Sequence, residues 1–224
     1  MKITYYGHAC IYLETNGLRV IIDPFISGNP LVTNIDLESI KVDFILLTHA
    51  HNDHILDAEF LAKENDAIIV SNYEIANHYE KLGVKTHPMS IGGSWQFPFG
   101  KVKMVIAHHT SSFQDGSYGG NPAGFLIESD KNIYIAGDTA LTFDMKLIPM
   151  QTKLDLVVLP IGDNFTMGVG DAILASDFLE CNTILGYHFD TFGYIKVDKN
   201  EAILKFKNAQ KKLILLEIEE SLEL

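Results

Sequence analysis

Between positions 48 and 54 the chain reads Thr48-His49-Ala50-His51-Asn52-Asp53-His54, three imidazoles and a carboxylate within six residues. Imidazole nitrogen and carboxylate oxygen are donors for zinc, iron, manganese and nickel. So dense a cluster is expensive to bury unless a cation satisfies it, and a solvated loop gains nothing from the spacing H-x-H-x-D-H. The run directly follows the apolar residues 44–47, so the donors begin where a predicted strand ends. Three more candidates stand in the same kind of place. His108-His109-Thr110-Ser111 follows 102–107, Asp138 follows 133–136, and His188 follows 183–187. Any one of them reads as an ordinary cap or turn. Together they point to one shared metal site, because strand ends are rigid and the loops after them are free to vary.

The elements that must position these residues follow from periodicity. Strands are predicted at 3–6, 11–14, 18–22 and 44–47, then a helix near 57–64, a strand at 67–70 and a helix at 73–82 closed by Gly83. Beyond Gly92-Gly93 a second series of strands is predicted at 102–107, 124–128, 133–136 and 156–159. A helix at 171–179, a strand at 183–187, a helix opening at Asp198 and a strand at 213–216 come after. Asp198 and Glu201 have capping-box spacing, with Asp in place of the usual Ser or Thr. Two series of strands, each followed by helices, predict an α/β fold with two sheets face to face and helices outside.

Composition narrows the function. A chain of 224 residues with 47% hydrophobic and 21% charged residues is expected to form one domain, 1–224, with a full core. Its formal charge of −12, from 29 acidic against 17 basic residues, repels phosphate backbones. The basic residues Lys205, Lys207, Lys211 and Lys212 read as a solvated face at a helix end, so nucleic acid is not an expected partner. No apolar run approaches the ~18 residues of a membrane span. The opening MKITYYGHAC reads as a strand and not a signal peptide. No membrane association and a cytoplasmic address are expected. Cys10 and Cys181 follow no C-x-x-C spacing and read as reduced core thiols.

From Gly7-His8 to His188 the chain resembles the metallo-β-lactamase superfamily, whose H-x-H-x-D-H signature is present without a gap. It is similar, more closely, to the UPF0173 group of metal-dependent hydrolases, relatives of ascorbate-6-phosphate lactonases. The segments that carry this are Ile22-Asp23-Pro24-Phe25, Gly28-Asn29-Pro30, Ala136-Gly137-Asp138-Thr139, Pro160-Ile161-Gly162-Asp163, Phe165-Thr166-Met167-Gly168, and His188 with Thr191-Phe192. The resemblance implies an αββα sandwich of two mixed β-sheets flanked by helices. It also implies two divalent cations, zinc first, with manganese, nickel and iron fitting the same donors. His49, His51 and a histidine of the 108–109 pair would hold one cation; Asp53, His54 and His188 would hold the other, with Asp138 bridging. Aligning Thr110-Ser111 with the group's usual serine pair selects His109. Asp23 would orient a metal-bound histidine. His8, after the first strand, is a candidate for the rim or for the layer behind the ligands, and Asp163 lines the pocket or caps its own loop. Ala50 stands where the group commonly has glycine, a mild change unless the backbone there needs positive φ.

Two cations about 3.5–4 Å apart can share a water, lower its pKa toward ~7 and turn it on a carbonyl or phosphorus. Asp53 could steer that nucleophile or relay its proton. The expected activity is hydrolysis of a small-molecule ester, lactone or phosphoester. Alternatives are a phosphodiesterase or ribonuclease, a regulatory metal-binding protein without turnover, and a di-iron redox protein, which would need an electron partner. No G-x-S-x-G elbow competes, and Gly168-Val169-Gly170 lacks the third glycine of a dinucleotide fingerprint. His78 and His87 are expected on the surface, and Gly119-Gly120-Asn121-Pro122 is expected to form a flexible turn at the rim. A homo-oligomer is compatible with the resemblance.

Overall fold

A computed structural model describes residues 1–224. In chain order the elements are β1 (Lys2–Tyr5), β2 (Ile11–Thr15), β3 (Leu18–Ile22), β4 (Phe44–Leu46), α1 (Asn52–Ile55), α2 (Ala58–Asn65), β5 (Ile68–Asn72), α3 (Tyr73–Lys81), β6 (Thr86–Met89), β7 (Ser94–Phe97) and β8 (Gly100–Ile106). They continue as β9 (Ala123–Glu128), β10 (Asn132–Ile135), β11 (Leu156–Pro160), α4 (Val169–Phe178), β12 (Thr183–Tyr187), α5 (Lys199–Asn208), β13 (Lys212–Ile214) and β14 (Ser221–Glu223). One sheet has the order β14-β1-β2-β3-β4-β5-β6, the other β13-β12-β11-β10-β9-β8-β7. Both are mixed: pairing is antiparallel from β14 to β3 and parallel from β3 to β6, and likewise antiparallel from β7 to β10 and parallel from β10 to β13.

Alternation along the strands sets the layers. Val20 and Ile22 of β3, Phe44 and Leu46 of β4, Phe125 and Ile127 of β9 and Leu156 and Val158 of β11 all meet in the core between the sheets. Their neighbours Ile21 and Ile45 face outward onto α2 and α3, and Leu126, Val157 and Leu159 face outward onto α4. Both faces are therefore buried, which is why these strands read as continuous apolar runs. Each fully buried aliphatic side chain contributes roughly 1.5–3 kcal/mol. The result is the αββα sandwich of two mixed sheets with helices outside.

The pairing directions explain the site. β1, β3 and β4 run the same way in one sheet, and β8, β10 and β12 run the same way in the other. Their C-terminal ends carry His8, Asp23, the 48–54 run, His108-His109, Asp138 and His188. One edge of the sandwich thus collects every polar cluster singled out in the sequence.

Several local expectations need correction. β6, β7 and β14 lie outside the predicted strands. β6 and β7 end their sheets, where Pro88 is tolerated because an edge strand leaves an N–H unpaired. His87 accordingly sits half-buried in β6 against Trp95 and Phe97, not on an open surface. Lys211 is buried, with its ammonium 2.7 Å from Asp177, so it is no part of a solvated face. The 119–122 turn is pinned, since Asn72 Nδ2 donates to the carbonyls of Gly119 (2.8 Å) and Asn121 (3.2 Å). Cys10 and Cys181 are buried free thiols, and burial pushes both pKa values up. No helix is long and apolar enough to cross a membrane.

Candidate metal centre

β4 ends at Leu46, and the chain turns so that His49 and His51 precede α1 while Asp53 and His54 lie within it. Ala50, fully buried, donates its N–H to Ser111 Oγ at 3.1 Å and is not among the positive-φ residues, so glycine is not required there. Its methyl fits because position 119 is glycine; a Cβ on Gly119 would collide with the Cβ of Ala50.

Hydrogen bonds behind the donors fix their tautomers. Asp23, fully buried, accepts from Thr48 N–H (2.8 Å), Thr48 Oγ1 (2.6 Å) and His54 Nδ1 (2.8 Å). With its proton given to Asp23, Thr48 Oγ1 accepts from His49 Nδ1 at 2.9 Å. Both Nε2 atoms are thereby turned into the site, that of His49 as a lone pair. His49 Nε2 faces His51 Nδ1 at 2.9 Å. On the other side His54 Nε2 is 3.4 Å from Asp138 Oδ1, while His188 Nε2 and His109 Nε2 are 3.0 and 3.6 Å from Asp138 Oδ2.

Three groups lie within metal-binding reach: His49, His51 and His109; Asp53, His54 and His188 together with His8; and Asp23, His49 and His54, in which Asp23 already accepts from His54 Nδ1, leaving the first two groups to face the site. Asp138 contacts members of both groups. His109 faces this cluster. Its neighbour His108 is half-exposed and turns away toward Asp144 Oδ2 at 3.4 Å. His109→Ala is therefore expected to weaken metal binding by at least ~100-fold, with His108→Ala leaving metal content unchanged. Plasma mass spectrometry on both variants checks this, and the reverse ranking would exchange their roles.

A cation fits these residues. His54 Nε2, Asp138 Oδ1 and His188 Nε2 are buried and make no hydrogen bond. An unpartnered buried polar atom costs about 1–3 kcal/mol, and three that converge ask for a common partner. Burial lowers the pKa of His49, His51 and His109, with the nearby His54 charge adding to this for His49 and His51, so they offer neutral imidazoles. Burial opposes the charged forms of His54 and Asp138 as well, but their mutual attraction overcomes it. Asp138, then Asp23, hold His54 above the usual range, and His188, then His54, hold Asp138 below it. Metal uptake would displace the His54 proton.

His8 supports Asp53. Burial would raise the Asp53 carboxyl, but the hydrogen bond from His8 and the charge of His54 hold it below the usual range. An ionised carboxylate only accepts, so His8 Nε2–H donates to Asp53 Oδ2 at 3.1 Å, and His8 Nδ1 accepts from Thr191 Oγ1 at 3.0 Å. Burial, and then the neighbouring His188, push the His8 pKa down to about 4. The folded state therefore binds fewer protons than the unfolded one between pH 6.5 and 4, and this stability is lost as pH falls through that window. Metal-free protein is expected to lose on the order of 1–2 kcal/mol through His8 by pH 5. Thermal melting of His8→Gln should show a smaller drop between pH 7 and pH 5 than the parent chain; equal drops would remove His8 from the account.

His8, Asp23 and His188 all adopt left-handed backbone, with φ of 53°, 49° and 55°. His and Asp tolerate this region better than most residues, and such strain gathers at functional sites. Donation from His188 N–H to the His8 carbonyl at 2.8 Å ties two of them together. Nothing in the residue spacing announces this backbone. Asp163 is exposed and lines a neighbouring cavity with Asp171, Asp198 and Lys196. The cavity of about 280 Å³ above the donors is walled instead by Thr110, Phe165 and Phe192. In the sequence Phe165 and Phe192 stand out only as marks of resemblance and Thr110 only beside the His108-His109 pair; an aromatic residue in the turn after each of β11 and β12 is the available signal.

Comparisons with known proteins show the family. Residues 18–189 match the family model of the beta-lactamase superfamily domain. A UPF0173 metal-dependent hydrolase of Flavobacterium johnsoniae is 63% identical over 225 residues, covering all of both chains. One from Christiangramia forsetii is 64% identical over 226 residues, again covering all of both. Among solved structures, a metallo hydrolase from the hyperthermophilic archaeon Ignicoccus hospitalis superposes with a TM-score of 0.90 at 32% identity, over 99% of this chain and 97% of that one. The chain belongs to the metallo-β-lactamase superfamily and, within it, to the UPF0173 group of metal-dependent hydrolases.

Proposed function

We propose that this hydrolase cleaves a small-molecule ester, lactone or phosphoester with water activated between two divalent cations, zinc first among them. The observation that carries the reading is Asp138, which reaches both donor groups at once. His49, His51 and His109 would hold one cation, and Asp53, His54 and His188 the other. Bound there, the pair supplies a water of lowered pKa and a Lewis acid for the oxygen of the electrophile. Thr48 and Asp23 keep the histidines aimed and in the right tautomer. Asp53, held ionised by His8, orients the attacking water, and its carboxylate carries the proton toward the leaving group. Phe165 and Phe192 narrow the approach for bulk water.

The donors come from both sheets, between residues 49 and 188, which supports 1–224 acting as one catalytic domain. The buried free thiols suit a reducing cytoplasm. The acidic balance suits a small substrate better than a nucleic acid. The test is turnover of a panel of small esters, lactones and phosphoesters by stripped and zinc-reconstituted protein in ¹⁸O-labelled water. Label in the product of at least one class, with reconstituted protein only, is expected. A fully loaded protein that turns over none of them would contradict the reading.

A further inference from the structure

The cavity above the donors says what the rest of the substrate is like. Its floor is the donor cluster, and its walls hold one neutral polar group, Thr110, and two phenyl rings, Phe165 and Phe192. No lysine or arginine lines it. Nearby Lys196 and Lys205 belong to the separate cavity around Asp163, Asp171 and Glu201, and the two cavities share no lining residue. A phosphate or carboxylate on the non-reacting part of a substrate would therefore find no cationic partner, within a chain of net charge −12.

The rings are held for contact. Phe192 packs edge-on against the buried His8 at 5.3 Å and lies 6.4 Å from Phe25. Phe165 rides on the turn from Gly162 to Gly168, which is closed by a bridge between those two glycines and by Asp163 N–H donating to the Met167 carbonyl at 3.0 Å. Met167 N–H donates in turn to the Thr139 carbonyl at 3.1 Å, so the turn is stapled beside Asp138. Phe165 nonetheless remains 50% exposed, and its neighbour Tyr194, 6.2 Å away, 79% exposed. Large apolar rings fixed at the mouth of a polar cavity stabilise little in the free protein, and they leave apolar surface for a ligand to cover. At about 280 Å³ the cavity lies near the lower end of small-ligand sites, so the ligand is small.

We infer that the non-reacting part of the substrate is a small, uncharged apolar or aromatic group seated between Phe165 and Phe192, and that substrates with an anionic group on that part are disfavoured. This rests on the metal-dependent hydrolase reading above. The probes are hydroxamates, which chelate the metal pair and differ only in their tails, titrated calorimetrically into zinc-loaded protein. Benzohydroxamate is expected to bind on the order of tenfold tighter than acetohydroxamate, the factor given by about 1.4 kcal/mol of apolar burial. Succinic monohydroxamate, with its anionic tail, is expected to bind weakest. Phe165→Ala should collapse the benzo-to-aceto ratio toward one, and Phe165→Tyr should keep it. In turnover, neutral aryl acetates should show higher kcat/KM than the matching aryl hydrogen succinates.

Preference for the succinyl tail, in binding or turnover, would overturn the inference and leave the hydrolase standing. So would an unchanged ratio in Phe165→Ala accompanied by a change in mass by light scattering, since the rings would then serve contact between copies. Failure of acetohydroxamate itself to bind loaded protein would instead bring down the metal reading, and the inference with it.

Discussion

Asp138→Ala is expected to lower hydrolysis by roughly a thousandfold or more, the scale on which electrostatic stabilisation at a reacting centre is lost. Asp138 is buried, and its two oxygens lie 3.0–3.6 Å from His54, His109 and His188. Alanine removes the one carboxylate that both donor groups share, so at least one cation should be lost. Asp138→Asn keeps the shape and loses the charge, and should fall between the parent and the alanine variant in metal content. His51→Ala, taken from the other group, should lose comparable activity, and the double variant little more, because residues that act as a unit are not additive. Asp138 and His51 stand beyond the strand ends and are not members of the apolar core between the sheets, so far-ultraviolet circular dichroism should be unchanged in all of them. Full metal content in both single variants would show the ligand assignment to be wrong.

Asp23→Ala is expected to damage stability and metal affinity together. Three donors, Thr48 N–H, Thr48 Oγ1 and His54 Nδ1, would lose their acceptor inside a fully buried pocket. Leaving such groups unpaired costs about 3–5 kcal/mol in total, or on the order of 10 °C in Tm for a chain of this size. Alanine also tolerates the left-handed backbone at φ 49° less well than aspartate does. Because Asp23 aims His54 directly and His49 through Thr48, metal affinity should fall by roughly 10–100-fold. Asp23→Asn, which keeps one acceptor oxygen and accepts the same backbone, should recover part of the Tm. A parent-like melting curve for Asp23→Ala would deny it this anchoring part.

Much of this arrangement was readable in the residues because one physical rule generates it. Strands buried on both faces are continuous apolar runs, and the polar residues that interrupt them stand at their ends. The 48–54 run, His109, Asp138 and His188 were visible in that way, and the structure draws them to one edge. The choice between His108 and His109 was not open to the residues alone, since adjacent positions after a strand point to opposite sides; the turn that sends His108 toward Asp144 decides it. β6, β7 and β14 were missed because short edge strands carry little alternation and, in β6, a proline. Asp163 was drawn toward the site by its motif, yet its left-handed backbone at φ 63° turns that loop so that Phe165, two residues on, faces the donors. Lys211 looked like one of a basic surface series, but it is closed in by Asp177 and Asn182.

The most direct test of the central claim is metal content per chain, by plasma mass spectrometry, on untagged protein reconstituted with zinc and freed of excess metal. About two divalent ions per chain are expected, shared through Asp138. No tightly bound ion after reconstitution would contradict the claim.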